Sequence, residues 1–177
     1  MWDALTAGEE GKERVHAVAK RYLCITWGAP PAKQGRIVHA LKLDEHHRYR
    51  VKMRVADGEP DALAAATRYE VLATRHRPGD PSSIYALVAC DLESGRQHQI
   101  RAHLAHAGFP IVGDKLYTHG DDAFIEYCDE GLTDELAALF VIPRHALHAA
   151  KITLPHPDGG TVTAGAPLPQ DLAALLA

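Results

Sequence analysis

The chain has 177 residues, of which 46% are hydrophobic and 24% charged, and a formal net charge of −4. These values are ordinary for one globular domain, and no apolar run is long enough to span a bilayer. The net negative charge argues against nonspecific nucleic-acid binding through global charge, so any such contact requires a local basic patch. Three scattered cysteines without CxxC spacing indicate core thiols in a reducing cytoplasm rather than a disulfide framework or a zinc site.

The first part of the chain predicts two strands and a basic segment after a polar stretch, residues 1–19. Residues 20–27 (KRYLCITW) alternate well enough for a strand, and a second, short strand is predicted over 34–43. Basic and apolar residues then alternate over 46–55, so a strand there would have one cationic face. Such a face is either a solvated sheet edge or a surface that attracts nucleic acid.

The middle of the chain predicts a hairpin followed by a helix. A strand is predicted over 85–92, and the loop before it, 75–83, is rich in Pro, Gly and Ser and suits a hairpin connection. A helix follows over 97–107, with Ile100 and Leu104 on its apolar face. Gly108 is well placed to end the helix, and Pro110 stops it from resuming.

Basic side chains crowd the start of this helix, where Arg96, His98 and Arg101 occur together. A helix N-terminus adds its own partial positive charge, so an anionic partner is expected, either a phosphate or a buried carboxylate. The alternative is a solvated amphipathic helix with incidental histidines. Arg96, His103 and His106 are expected on the surface, away from the apolar face.

An acidic segment over 119–142 predicts a helical insert. It contains two short helices, with Thr133 as a plausible N-cap of the second. The carboxylates of this insert lack EF-hand spacing, so a solvated face is the better interpretation than a metal site. The tail, residues 170–176, predicts a short amphipathic helix.

Twelve histidines raise the alternative of a metal site. His103 and His106 are three residues apart, as are His145 and His148, and two such pairs could supply four ligands. The chain has no HExxH motif and no cysteine beside these pairs, so we expect no metal. A Ser-His-Asp hydrolase is disfavoured because no GxSxG motif is present.

The stretch 95–117 (GRQHQIRAHLAHAGFPIVGDKLY) resembles the C-terminal signature of a family of RNA pseudouridine synthases, the large-subunit rRNA type A class. It differs at Gln97, where Ser or Thr is usual, and at Phe109, where His is usual. Further segments resemble the second motif of that family, one of its strands, its R-x-x-L-H-A stretch and its closing strands. These segments are 20–28, 62–72, 144–149 and 152–169, and the resemblance covers roughly residues 14–176.

The resemblance implies an α+β fold, with a mixed, mainly antiparallel sheet and packed helices, over residues 20–177. It implies isomerisation of uridine to pseudouridine in rRNA or tRNA without a cofactor. Tyr22 would stack against the target uracil and Arg101 would hold the catalytic carboxylate. RNA contacts are expected from Lys20, Arg96, His98 and His103. Without the resemblance, Tyr22 is a strand aromatic packed on the core, and Asp114 is a turn-forming or capping aspartate.

The family's first motif, HRLDxxTSG, which carries its catalytic aspartate, does not occur in this chain. Three interpretations follow: a truncated product of a longer gene, half of a split enzyme whose partner chain supplies the aspartate, or a non-catalytic RNA-binding remnant. In each case we expect an incomplete synthase domain that is inactive alone, so whether the chain is itself an enzyme stays open. We also expect an exposed strand edge or apolar face that favours dimerisation or aggregation.

Overall fold

The computed structural model describes residues 18–177, so all but the last two residues of the polar segment 1–19 lie outside the description. Over residues 18–177 the chain forms eight strands and four α-helices. In chain order these are β1 (Ala19–Trp27), β2 (Gln34–Val38), β3 (Leu41–Leu43), β4 (Met53–Val55), β5 (Ala66–Arg77), β6 (Asp80–Leu92), α1 (Gln99–His106), α2 (Gly120–Glu130), α3 (Asp134–Phe140), β7 (Leu147–Pro155), β8 (Thr161–Gly165) and α4 (Gln170–Ala173).

Six of the strands form one sheet in the order β2-β5-β6-β1-β7-β8, while β3 and β4 form a separate pair. All pairings in this part of the chain are antiparallel. The predicted α+β class with a mainly antiparallel sheet is therefore confirmed. Strand β8 has one neighbour in the sheet and its side chains are exposed along its whole length.

The core lies around the middle of the large sheet, where β1 pairs with β6 on one side and with β7 on the other. Cys24 and Ile25 of β1 are completely buried, as is Leu104 of α1. Leu172 of the tail helix is also completely buried, so the predicted C-terminal helix closes the core. A smaller apolar cluster joins α1 to the β3-β4 pair through Leu41, Met53, Ala65 and Ala102.

Several predicted elements have different bounds in the structure. The segment predicted as a strand over 34–43 divides into β2 and β3, and the basic run keeps only the three residues of β4. The basic run turns because Asp44 accepts hydrogen bonds from the backbone of His46 and His47. The expected loop 75–83 lies almost wholly within β5 and β6, because Gly79 (φ 79°) permits a tight turn.

The helical insert forms as predicted. Thr133 caps α3, and its side chain accepts a hydrogen bond from the backbone nitrogen of Leu136 at 3.2 Å. Within residues 18–177, no helix has both the length and the apolar character needed to cross a membrane.

Candidate functional site

Tyr22 lies in the centre of the sheet, beside a register shift between β1 and β7. It pairs with Cys90 of β6 and with Ala149 of β7. Its half-buried side chain lines a cavity of about 290 Å³, whose other walls come from Lys20 and from parts of β7 and β8. Lys151 lines the same cavity. A phenol ring beside two lysines suits a nucleotide: its planar base can stack on the ring, and its phosphates can approach the ammonium groups.

A second cavity, of about 400 Å³, lies at the start of α1. Five of its lining residues carry basic groups, and these are His98, Arg101, Lys115, Arg144 and His145. The remaining walls are mainly apolar and include Val51 and Phe124. The cavity therefore combines a basic lining with apolar walls, as expected for a site that takes an anionic group next to a ring.

Arg101, which lines this second cavity, is bound to a carboxylate buried beneath it. Its Nε and Nη2 atoms donate to the two oxygens of Asp114, at 2.6 and 2.8 Å. Asp114 is completely buried and also accepts from the backbone nitrogens of Leu116 and Tyr117. Asp114 therefore shapes the turn after α1 and holds the guanidinium in place, so its predicted turn-forming role is seen in the contacts.

The two histidines of this cavity are half-buried, and burial shifts their titration. Burial, with Arg101 as a second cause, lowers the pKa of His98 to about 4. Burial also lowers the pKa of His145, again with Arg101 as the next cause. Both rings are therefore neutral near pH 7, and the positive charge of the cavity comes from Arg101, Lys115 and Arg144.

Arg144 and Lys115 differ in how their charges are compensated. Arg144 makes a bidentate pair with Asp171 at 2.8 and 3.0 Å. Lys115 donates to the carbonyl of Pro143 at 2.6 Å and lies over the ring of Phe140. Burial lowers the pKa of Lys115. No ion pair of Lys115 occurs among the described residues, so it is the cation best placed to meet an added anion.

The comparisons with known proteins decide the family. A sequence model of the RNA pseudouridylate synthase family matches residues 6–106. This chain belongs to that family. It is 37% identical over 161 residues to a ribosomal large subunit pseudouridine synthase D of Xanthomonas campestris pv. campestris, which covers 90% of this chain and 43% of that protein.

Further relatives show the same partial coverage. A chloroplastic RNA pseudouridine synthase 2 of Oryza sativa is 31% identical over 92% of this chain and 37% of its own length. The solved structure of human RNA Pseudouridylate Synthase Domain Containing 4 is 26% identical, with a TM-score of 0.64 over 90% of this chain and 61% of that one. The chain thus spans about two-fifths of the length of these curated synthases.

The synthase signature forms the turn that leads from β6 into α1. Gln99 is buried and ties this turn to β5: its Oε1 accepts from Ser94 and from the backbone of Arg96, and its Nε2 donates to Ala66 and Thr67. His98 precedes the helix with φ 53°, so α1 begins at Gln99 rather than at 97. Sequence reasoning did not assign this tethering role to Gln99, because its partners on β5 are distant in sequence.

His103 is not an RNA-contacting residue in this structure, so that prediction is wrong. The residue is completely buried. Its Nε2 donates to the carbonyl of His39 at 3.0 Å, and its Nδ1 accepts from the hydroxyl of Thr67 at 2.9 Å. Helix α1 packs on both β4 and β5, so two of its faces are covered. His103 is buried beneath these contacts.

The other predicted RNA contacts remain accessible to different degrees. Lys20 is half-buried, and its Nζ lies close to Gly95 of the signature turn. Arg96 donates from Nε to the carbonyl of Ala64 at 3.3 Å, which holds its stem along the turn. His98 contacts the hydroxyl of Tyr117 at 3.2 Å. Their roles in RNA binding stay predictions.

The two predicted catalytic residues line different cavities. Tyr22 belongs to the smaller cavity and Arg101 to the larger one. The segment entering β7 connects the cavities, because His145 lines the larger and Ala149 the smaller.

Proposed function

We propose that this chain supplies the uridine-binding surface and the carboxylate-orienting arginine of an enzyme that isomerises uridine to pseudouridine in RNA. The observation that carries the proposal is the half-buried Tyr22 in a cavity flanked by Lys20 and Lys151. A strand-centre aromatic that lines an open cavity is available for stacking, whereas a tyrosine with a purely structural role would be covered.

In the proposed reaction the target uridine leaves its stack and its base lies against the Tyr22 ring. Extruding a nucleotide costs a few kcal/mol, which stacking on an aromatic ring and phosphate contacts offset. The bond from N1 to C1′ then breaks, the base rotates, and C5 bonds to C1′ while its proton is lost to a base and N1 gains one. We propose that Tyr22 orients the ring and acts as that base.

We propose that a carboxylate from outside residues 1–177 completes the site, either from an adjoining segment or from a partner chain. Asp114 is poorly suited to this role, since its oxygens accept from Arg101 and from two backbone N–H groups. The Nη1 atom of Arg101 makes no hydrogen bond within residues 18–177 and lies on a cavity-lining residue. That atom can orient a second carboxylate while Asp114 fixes the guanidinium.

The class of RNA, the cellular location and the RNA-contacting residues are also proposed. We propose that the RNA is ribosomal or transfer RNA and that the protein acts in the cytoplasm. Lys20, Arg96 and His98 are the proposed RNA contacts, because all three lie at or beside the signature turn. No cofactor enters the proposed reaction.

The test measures RNA binding and tritium release separately. Fluorescence anisotropy with a uridine-containing hairpin should show binding that Tyr22→Ala weakens about 10-fold or more, because base–aromatic stacking contributes about 1–3 kcal/mol. Tyr22→Phe is the matched control and should bind like the wild type. RNA containing 5-tritiated uridine should release no tritium with this chain alone.

Each readout can overturn one part of the proposal. Equal affinity of Tyr22→Ala and Tyr22→Phe would exclude stacking at Tyr22. Tritium release by the chain alone would exclude the need for an outside carboxylate. Binding without release, even after addition of a chain that carries an HRLD motif, would leave RNA binding as the function.

A further inference from the structure

Helix α2 has an unusual position for an acidic helix. It carries five acidic residues and no completely buried side chain, and it lies against the loop between β3 and β4. That loop, residues 44–52, contains His46, His47, Arg48, Arg50 and Lys52, and we call it the basic loop. The basic loop overlaps the segment 46–55, whose charge pattern suggested either a solvated edge or a nucleic-acid surface.

Carboxylates of α2 bind the cations of the basic loop at both ends of the helix. Asp129 accepts from Arg48 at 2.9 and 3.3 Å and from the hydroxyl of Tyr49 at 2.7 Å. At the other end, Asp121 pairs with Lys52. The basic loop therefore does not present these two cations to solvent as free charges.

Between the two ends of α2, aromatic rings make the contact with the basic loop, and one buried nitrogen there lacks a hydrogen bond within residues 18–177. Phe124 of α2 lies 5.6 Å from the ring of His47 and 5.6 Å from the ring of Tyr49. His47 is buried, yet its Nε2 has no hydrogen-bond partner among the described residues. Its closest carboxylate oxygen, on Asp121, is 3.7 Å away. The interface thus leaves one buried nitrogen without a hydrogen bond among the described residues, which costs free energy at this contact.

This interface also forms part of the wall of the larger cavity. Val51 of the basic loop and Phe124 of α2 both line the cavity that contains Arg101. Movement of α2 away from the basic loop would therefore widen the entrance to Arg101 and release Arg48 and Lys52 at the same side of the molecule.

Ion pairs of this kind are easily exchanged for others. The side chains of Arg48, Asp121 and Asp129 are each about half exposed, and half-exposed pairs contribute little to stability and weaken with salt. Phosphates of RNA offer the same charge and more acceptor oxygens than a carboxylate. An RNA strand approaching Arg101 can thus replace the carboxylates of α2.

We propose that the basic loop is a contact surface for RNA phosphates and that α2 covers it when RNA is absent. RNA takes the place of Asp121 and Asp129, α2 moves off the loop, and the cavity at Arg101 opens. The inference rests on the proposed function only in taking RNA as the ligand. It assigns Arg48 and Lys52 as further RNA contacts and α2 as a cover that lowers the affinity for RNA.

The test compares two double variants that remove the same charge from α2. Asp121→Asn with Asp129→Asn breaks the contacts to the basic loop. Asp122→Asn with Glu126→Gln is the matched control, since neither residue makes an ion pair among residues 18–177. Anisotropy with a hairpin RNA should show about 10-fold tighter binding for the first variant and a change of about twofold or less for the control. Equal tightening in both variants would mean general electrostatics and would overturn the proposal, as would no tightening in the first.

Hydrogen exchange provides a second readout that does not depend on catalysis or on Tyr22. Saturating RNA should raise exchange in α2 and lower it in residues 44–52, and inorganic polyphosphate should do the same. The Tyr22→Ala variant should retain both changes at saturation, so failure of the stacking proposal and failure of this one are distinguishable. Unchanged or increased protection of α2 with RNA bound would overturn the proposal.

Discussion

Among residues 18–177, Asp114 is the only acidic side chain that is completely buried, and its partner Arg101 is 14% exposed. Two parallel N–H···O bonds and two backbone N–H groups satisfy the carboxylate. A buried pair with full hydrogen bonding differs from a surface pair, because removal of one partner leaves the other charge uncompensated.

We expect Asp114→Ala to lower the free energy of unfolding by about 3 kcal/mol or more, since it strands a largely buried guanidinium and frees two backbone N–H groups. Asp171→Ala, which removes the half-exposed partner of Arg144, should cost much less, because solvent screens a surface pair. Urea denaturation of both variants checks this. Similar costs would mean that the Arg101 pair behaves as a surface pair.

At the scale of elements, the turn after α1 depends on Gly113. Its φ is +75°, and an added Cβ would lie 2.2 Å from the carbonyl oxygen of Arg144. The turn therefore packs backbone against backbone at the entry to β7. Ala146 supports the same contact, because its nitrogen donates to the carbonyl of Val112.

Gly113→Ala should destabilise the protein by about 3 kcal/mol or more, because left-handed strain and overpacking add at this position. Gly58→Ala is the matched control: Gly58 also has a positive φ, of +77°, but open space where the Cβ would be. We expect it to cost about 1 kcal/mol. Thermal unfolding separates the two, and equal shifts in the midpoint would refute the steric argument.

Several strands of the large sheet were predictable: residue patterns mark β1 and β6, while the motif resemblance marks β5 and the closing strands β7 and β8. The start of β6 was not, because Asp80–Ser83 form a solvent-exposed ribbon and exposed ribbons have the composition of loops. The break between β2 and β3 was equally hidden, because Asp57 makes it from a distance by binding His39 and the backbone of Ala40.

Single residues of the candidate site were predictable from the sequence, but their contacts with one another were not. Motif resemblance pointed to Tyr22 and Arg101, and the helix start predicted an anionic partner for Arg101. The identity of that partner depends on how the turn at Asp114 folds back, which no local pattern encodes. The burial of His103 was likewise not predictable, since it requires β4 and β5 to cover two faces of one short helix.

At the scale of the whole molecule, buried histidines make stability depend on pH. Burial lowers the pKa values of His98, His103, His119 and His145, and that of His98 falls to about 4. The unfolded chain titrates near the usual 6.5 and thus binds more protons between about pH 6.5 and 4. Stability should therefore be lost as the pH falls through this window.

The carboxylates respond at lower pH. Hydrogen bonds from Ser82 and Ser83 lower the pKa of Asp80 to about 2, and Arg36 does the same for Glu93. Stability that these groups contribute is present above their unfolded pKa values and is lost as the pH falls toward 2. As the pH falls, stability is therefore lost first through the histidines and then, at lower pH, through the carboxylates.

Urea midpoints measured at pH 7, 6, 5 and 4 should fall in wild type and fall less steeply in His98→Asn, since asparagine tolerates φ 53° and carries no titrating ring. His76→Gln, which changes an exposed histidine of β5, should keep the wild-type slope. A slope unchanged in His98→Asn would show that His98 does not report the buried environment described above.

The central place of β1 in the sheet has a consequence for how the protein is made. Tyr22 pairs with Cys90 on one side and with Ala149 on the other. A nascent chain therefore exposes β1 long before the ribosome has synthesised β7, and the partial sheet keeps an open edge meanwhile. Such distant pairings also slow folding. The wall of the cavity at Tyr22 is thus completed late, when the last long strand closes over the first.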